Sequence, residues 1–258
     1  MTAATALRTA CWLLALVAAL ALQTARAGLP EVVVALRPSV LPVGTFSATE
    51  SPRFGFRGTG FVVGDGTVVA TNFHVLPPFA ELASSPRMAV LLVRAGTAEV
   101  RLARVLASDR AHDLALLKID GPPLPAVTFA EIGSAREGQS IALMGYPIGD
   151  AFGFSPVTHR GVIASITAAA LPAPTAQSLD PRAISRLRDG NYEVYQLDAT
   201  AYPGNSGGPL FDAETGRVLG MVNMVLVKGS RESALTNPTG ITYAIPARHL
   251  LDLLRQIR

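Results

Sequence analysis

The chain has 258 residues, 49% hydrophobic and 16% charged, with a formal net charge of +3. That is long enough to bury a large core, and 22 basic against 19 acidic residues with no clustered basic patch excludes a nucleic-acid partner. Cys11 and Trp12 are its single cysteine and single tryptophan, so nothing after them uses a disulfide, and no metal-ligand spacing or cofactor motif is present.

Residues 1–27 read as an export signal. Arg8 makes the start weakly basic, 11–22 is an unbroken apolar run, and Ala25-Arg26-Ala27 ahead of Gly28 matches a small-x-small cleavage site. The run falls short of the about twenty residues that a spanning helix needs, so cleavage and a periplasmic or secreted product are expected. An uncleaved anchor is the alternative. Removal takes away Arg8 and Arg26 and no acid, and leaves 28–258 close to neutral.

From residue 31 to 120, short apolar or alternating runs punctuated by turns predict strands at 40–46, 60–63, 67–75, 88–93, 99–106 and 113–119. The polar stretch 51–57 reads as a mobile loop. Gly121-Pro122-Pro123-Leu124-Pro125 is the one strong break in composition and reads as a linker. Beyond it strands are predicted at 127–132, 140–144, 157–166, 193–197, 209–211 with 218–226, and 241–245, with 212–216 as a hairpin loop. Strands at such spacing, with no helical pattern between them, argue for an all-β barrel or sandwich. The end differs: Leu250, Leu253, Leu254 and Ile257 recur at helical spacing, and Pro246 suits a first helical position. That helix is expected to pack on the neighbouring strands, with a partner-binding helix as the sharper alternative.

Three short segments carry chemistry. His74 ends the apolar run of the third segment, Asp113 opens the alternating run 113–119, and Ser206 sits in Pro203-Gly204-Asn205-Ser206-Gly207-Gly208-Pro209. A serine hydroxyl attacks only when a tight turn exposes it beside an imidazole, a carboxylate orients that imidazole, and donors await the oxyanion. Gly204 lets its N–H converge with that of Ser206, and Gly207 and Gly208 leave room for a substrate carbonyl. Glycine, asparagine, serine and proline also dominate ordinary turns, a histidine after a strand is commonly structural, and an aspartate before one is commonly a turn residue. Together, in the order His, Asp, Ser, they point to a catalytic triad. His112, His159 and His249 are assigned structural or solvated roles.

Thr71-Asn72-Phe73-His74-Val75, His112-Asp113-Leu114-Ala115-Leu116-Leu117, the glycine-rich segment around Ser206, and Gly240-Ile241-Thr242-Tyr243-Ala244-Ile245-Pro246 resemble, in order, signature segments of trypsin-like serine proteases of the HtrA (Deg) type. The resemblance runs from about residue 38 to the end. It implies two six-stranded antiparallel β-barrels, about 31–120 and about 124–246, followed by a helix at 247–258, with the site in the cleft between the barrels. It also implies His74 as general base, Asp113 as its orienting carboxylate, Ser206 as nucleophile, and the N–H groups of Gly204 and Ser206 as the oxyanion hole. The family's PDZ domains have no counterpart in the sequence, so regulation through one is not expected. The stretch 168–190 is longer than the family's usual loop. Trimers are usual in that family, which leaves self-assembly as an open expectation.

The expected activity is therefore an exported serine endopeptidase of unfolded or extended polypeptides, in protein quality control. A binding or chaperone-like module of the same fold and an exported esterase are the rivals. Asn205, uncharged, cannot form the ion pair with a new N-terminus that activates digestive relatives. In such folds the primary pocket's floor lies six residues before the serine, here Thr200, with walls from 199–202 and from Asn223, Met224 and Val225. A cation buried against an uncharged floor is costly, so small or medium aliphatic side chains are expected there.

Overall fold

The computed structural model describes residues 28–78, 87–94, 97–147, 153–168, 192–223 and 240–257. Strands β1 (Val40–Phe46), β2 (Phe54–Val63), β3 (Val68–Asn72), β4 (Arg87–Arg94), β5 (Thr97–Asp109) and β6 (Leu114–Ile119) close into one barrel in the order β1-β2-β3-β6-β5-β4. Strands β7 (Ser140–Gly145), β8 (Val157–Ala168), β9 (Glu193–Asp198), β10 (Pro209–Asp212), β11 (Val218–Asn223) and β12 (Ile241–Pro246) close the second in the order β10-β11-β12-β9-β8-β7. All the paired strands are antiparallel.

The strands facing the other barrel are apolar on both faces, and the period of two divides their residues between two cores. Val69, Leu117 and Ile119 fill the first barrel with Val43, Val62 and Val90. Their chain neighbours Val68, Ala70, Leu114 and Leu116 point the other way, and pack with Ala142, Met144, Phe211, Val218 and Met221 of the second barrel. Ile141, Leu143, Ile163, Leu197, Leu210 and Val222 fill the second barrel's interior. One continuous core thus locks the barrels together, and the loops at its rim cannot drift independently.

Helix α1 (Leu29–Leu36) precedes β1, and α2 (Ala247–Arg255) follows β12. The strand pattern read from residue 31 misses α1. Pro30 near its start and Glu31 in its first turn suit a helix, and Val32 and Leu36 bury one side in the inter-barrel core. Three other expectations change. Residues 54–57 are strand rather than loop, because Phe54 and Phe56 pack on Phe154 at ring separations of 5.6 and 5.7 Å. Residues 127–132 form no strand: the segment crosses between the barrels with a single isolated bridge, Phe129 to Val218. Pro246 ends β12 and caps α2 from outside, with ψ of 141°. Residues 1–27, read from sequence as an export signal, and residues 169–191 and 224–239 lie outside the described residues. Among the described residues no helix is long and apolar enough to cross a membrane.

Candidate active site

The inter-barrel cleft collects the three segments that the sequence singles out. β3 ends at Asn72, and the 3₁₀ turn Phe73–Val75 lifts His74 to the rim, with its side chain 31% exposed. Arg57 of β2 holds this turn by donating from Nε to the carbonyl of Val75 at 2.6 Å and from Nη2 to that of Leu76 at 3.1 Å. Asp113 lies in the turn before β6 with φ of 54°, the one described non-glycine residue in the left-handed region. Aspartate tolerates that conformation better than most residues.

Every acceptor of Asp113 is used. Its Oδ2 lies 2.6 Å from His74 Nδ1, and its Oδ1 accepts the His74 backbone N–H at 2.9 Å. Asn223 Nδ2 donates to the same Oδ2 at 2.9 Å. The Asp113 carbonyl accepts the Phe73 N–H and Asn72 Nδ2, each at 3.0 Å. A carboxylate bound this way favours the tautomer with hydrogen on Nδ1, which leaves the Nε2 lone pair facing the cleft.

Ser206, 6% exposed, sits on the turn that joins β9 to β10. Its carbonyl accepts the Thr59 N–H at 2.9 Å. The turn's amides divide into two sets. Asn205 N–H donates to Tyr202 O, Gly207 N–H to Val222 O and Gly208 N–H to Asn205 O, at 2.9 to 3.0 Å. The N–H groups of Gly204 and Ser206 have no partner among the described residues. Gly204 has φ of 106°, and a Cβ there would stand 2.3 Å from the Tyr146 carbonyl, so only glycine fits. No hydrogen bond joins Ser206 Oγ to His74 Nε2 among the described residues, and in unliganded sites that contact commonly tightens only when substrate binds. The Asn205 side chain is fully buried, and neither of its amide atoms has a partner among the described residues.

Thr200 is half-buried between Ala199 and Ala201, and the loop's start is held by Thr242 Oγ1 on the Ala199 carbonyl at 2.7 Å. Met224 and Val225 lie outside the described residues. Asn223, read from sequence as a pocket wall, directs its amide at Asp113 instead. Arg57, Thr59 and Asn72 go unrecognised in the sequence. Their signal is a polar residue within or ending a strongly apolar strand, which must find a hydrogen-bond partner once buried.

The other histidines sit apart. His112 Nδ1 is 2.6 Å from Asp109 Oδ2, a hydrogen bond that holds the Asp109 carboxyl below its usual range despite burial. Its ring stacks on His249 at 4.0 Å. Burial lowers the His159 pKa. Among the described residues no cluster of three or more His, Cys, Asp or Glu could hold a metal.

A family model described as a trypsin-like peptidase domain matches residues 58–221. A probable periplasmic serine endoprotease, DegP-like, from Pseudomonas fluorescens is 28% identical over 78% of this chain and 35% of its own length. One of the same description from Marinomonas is 27% identical over 83% of this chain and 38% of its own. The chain thus spans little more than a third of these relatives. Among solved structures, Deg5 is similar with a TM-score of 0.60 and 26% identity, covering 86% of this chain and 90% of that one. The HtrA-type protease AlgW with a tripeptide has a TM-score of 0.63 at 25% identity, covering 90% and 64%.

Proposed function

The chain belongs to the trypsin-like peptidase family, and on that premise we propose that it is an exported serine endopeptidase that works through an acyl-enzyme. One observation supports the reading most directly. Among the described residues, the amides of Gly204 and Ser206 have no partner, within a turn whose intervening and following amides are all bonded. Buried or half-buried N–H groups are rarely left unpaired without a purpose, and two that flank a serine suit a developing oxyanion.

In the mechanism, Ser206 Oγ forms a bond to the scissile carbonyl carbon while its proton passes to His74 Nε2. The carbonyl oxygen becomes an oxyanion and takes the N–H groups of Gly204 and Ser206. Asp113 stays ionised and stabilises the imidazolium through Nδ1–H. Collapse breaks the C–N bond, and His74 returns the proton to the leaving amine. Water then attacks the ester with His74 again as base, which frees the acid and restores the serine hydroxyl.

The substrates are extended or unfolded polypeptides, and the role is protein quality control. The relatives' description as periplasmic endoproteases, with the export signal read at 1–27, supports the periplasm as the location. Intact mass spectrometry after a fluorophosphonate probe tests the nucleophile: one adduct is expected on the purified protein and none on Ser206→Ala. Casein hydrolysis should fall by several orders of magnitude in Ser206→Ala and in His74→Ala, and combining them should add little, because triad members act as a unit. Asp113→Asn should also be severe. Undiminished hydrolysis by folded Ser206→Ala protein would overturn the assignment, and ester cleavage with casein left intact would favour the esterase.

A further inference from the structure

Thr59 is fully buried in β2, between Gly58 and Gly60, and its polar atoms make four hydrogen bonds to three separate segments. Its N–H donates to the Ser206 carbonyl at 2.9 Å. Its hydroxyl donates to the Gly204 carbonyl at 2.6 Å and accepts the Tyr146 N–H at 3.0 Å. Its own carbonyl accepts Thr71 Oγ1 at 2.7 Å, three residues before His74. Two of the four bonds therefore grip the carbonyls of the same two residues whose amides stand unpaired. The turn and the end of β7 both pack closely on Thr59. A Cβ on Gly207 would come 2.2 Å from the Thr59 carbonyl, and one on Gly145 would come 3.0 Å from its hydroxyl.

We propose that Thr59 is a positioning residue, through which the first barrel sets the direction of the oxyanion-binding amides carried by the second. The inference rests on the proteolytic reading above. A hydroxyl is required because one atom must donate to Gly204 O and accept from Tyr146 N–H together, which no methyl, thioether or ammonium group does. With the Gly204 carbonyl released, no other hydrogen bond among the described residues holds Gly204 at its left-handed φ of 106°, and the amide can rotate away from the developing charge. The effect belongs to the transition state, since the oxyanion exists only there.

Thr59→Val keeps the shape and removes the hydroxyl, and Thr59→Ser keeps the hydroxyl. With fluorescently labelled casein, Thr59→Val should lose about 100-fold in kcat, comparable to removal of one oxyanion donor, with KM nearly unchanged. A peptide aldehyde ending in valinal, which mimics the tetrahedral adduct, should weaken by a similar factor, and Thr59→Ser should recover most of both. If Thr59→Val does not fold, Thr59→Ser against Thr59→Ala isolates the hydroxyl, and the same factor should separate that pair. Equal kcat within either pair, or a loss confined to KM, overturns the proposal. Ser206→Ala run in parallel separates the two ideas: activity retained there would sink the proteolytic reading itself, whereas activity lost there and kept in Thr59→Val would sink only the role of Thr59.

Discussion

Asp113 draws its geometry from a backbone that few residues adopt and from donors on three elements, His74 on its turn, Asn72 in β3 and Asn223 in β11. That over-determination is what lets a strained φ persist. At the same scale, we propose that Thr200 forms the floor of the primary pocket, which predicts the side chain that enters before the scissile bond. Thr200 carries no charge, and its chain neighbours Ala199 and Ala201 are buried and small. Cleavage-site profiling of an unfolded protein digest should therefore favour Val, Ala or Leu over Lys, Arg or Glu. The preference should be graded, since one methylene in an apolar pocket is worth about 10–200-fold. A dominant signal after Lys or Arg would mean that the floor lies elsewhere. His74, Asp113 and Ser206 are legible in the sequence because each occupies a segment whose glycines or strand ends already demand its turn. Thr59 is not, because its partners Tyr146, Gly204 and Ser206 lie far along the chain, and no local pattern encodes a contact across two barrels.

At the scale of elements, apolar alternation reveals most strands and fails where tertiary contacts outrank local pattern. Residues 127–132 are as apolar as a strand, but they run along the barrel junction and pair at one bridge only. Leu29–Leu36 is too short to announce itself as a helix by periodicity, and its burial against the inter-barrel core decides the matter. β1 carries a further lesson. Its register against β2 shifts between Val43 and Gly44, and beyond that bulge the strand also pairs with β4 and closes the barrel. A Cβ on Gly44 would lie 2.2 Å from the Gly55 carbonyl and 3.0 Å from the Phe54 ring. Backbone cannot yield as a side-chain tip can, so Gly44→Ala should destabilise the protein by about 1–3 kcal/mol, the range for overpacked cores. Urea unfolding should show a lower midpoint with an unchanged m-value. A midpoint within error of the parent would mean that β1 shifts freely at its bulge.

For the molecule as a whole, α2 is the element that ties the end of the second barrel back to the first. Its His249 ring stacks on His112, one residue before Asp113, at 4.0 Å and 22°, and Tyr192 meets both rings edge-on at 4.6 and 5.4 Å. Arg248 Nε donates to His249 Nε2 at 3.2 Å, which uses the lone pair of the neutral ring, while Arg248 Nη1 pairs with Glu193 at 2.8 Å. Burial first, then His112 and Arg248, push the His249 pKa down to about 4, with Asp109 and Asp252 opposing weakly. The unfolded chain holds this histidine near its ordinary 6.5, so between the two values the unfolded state binds the extra proton. Stability from His249 is therefore complete above the unfolded pKa and is lost as pH falls from about 6.5 towards about 4. The ring is half-exposed, and solvent screening reduces the effect to about 1 kcal/mol rather than the full linkage value. His249→Phe keeps an aromatic ring on His112 and removes the titration. As pH falls from 7 to 4, denaturant midpoints should fall further for the parent than for His249→Phe, and below about pH 4 the two profiles should run parallel, separated by the full difference. Parallel pH profiles through the whole window would mean that the junction of α2 with the first barrel does not sense acid.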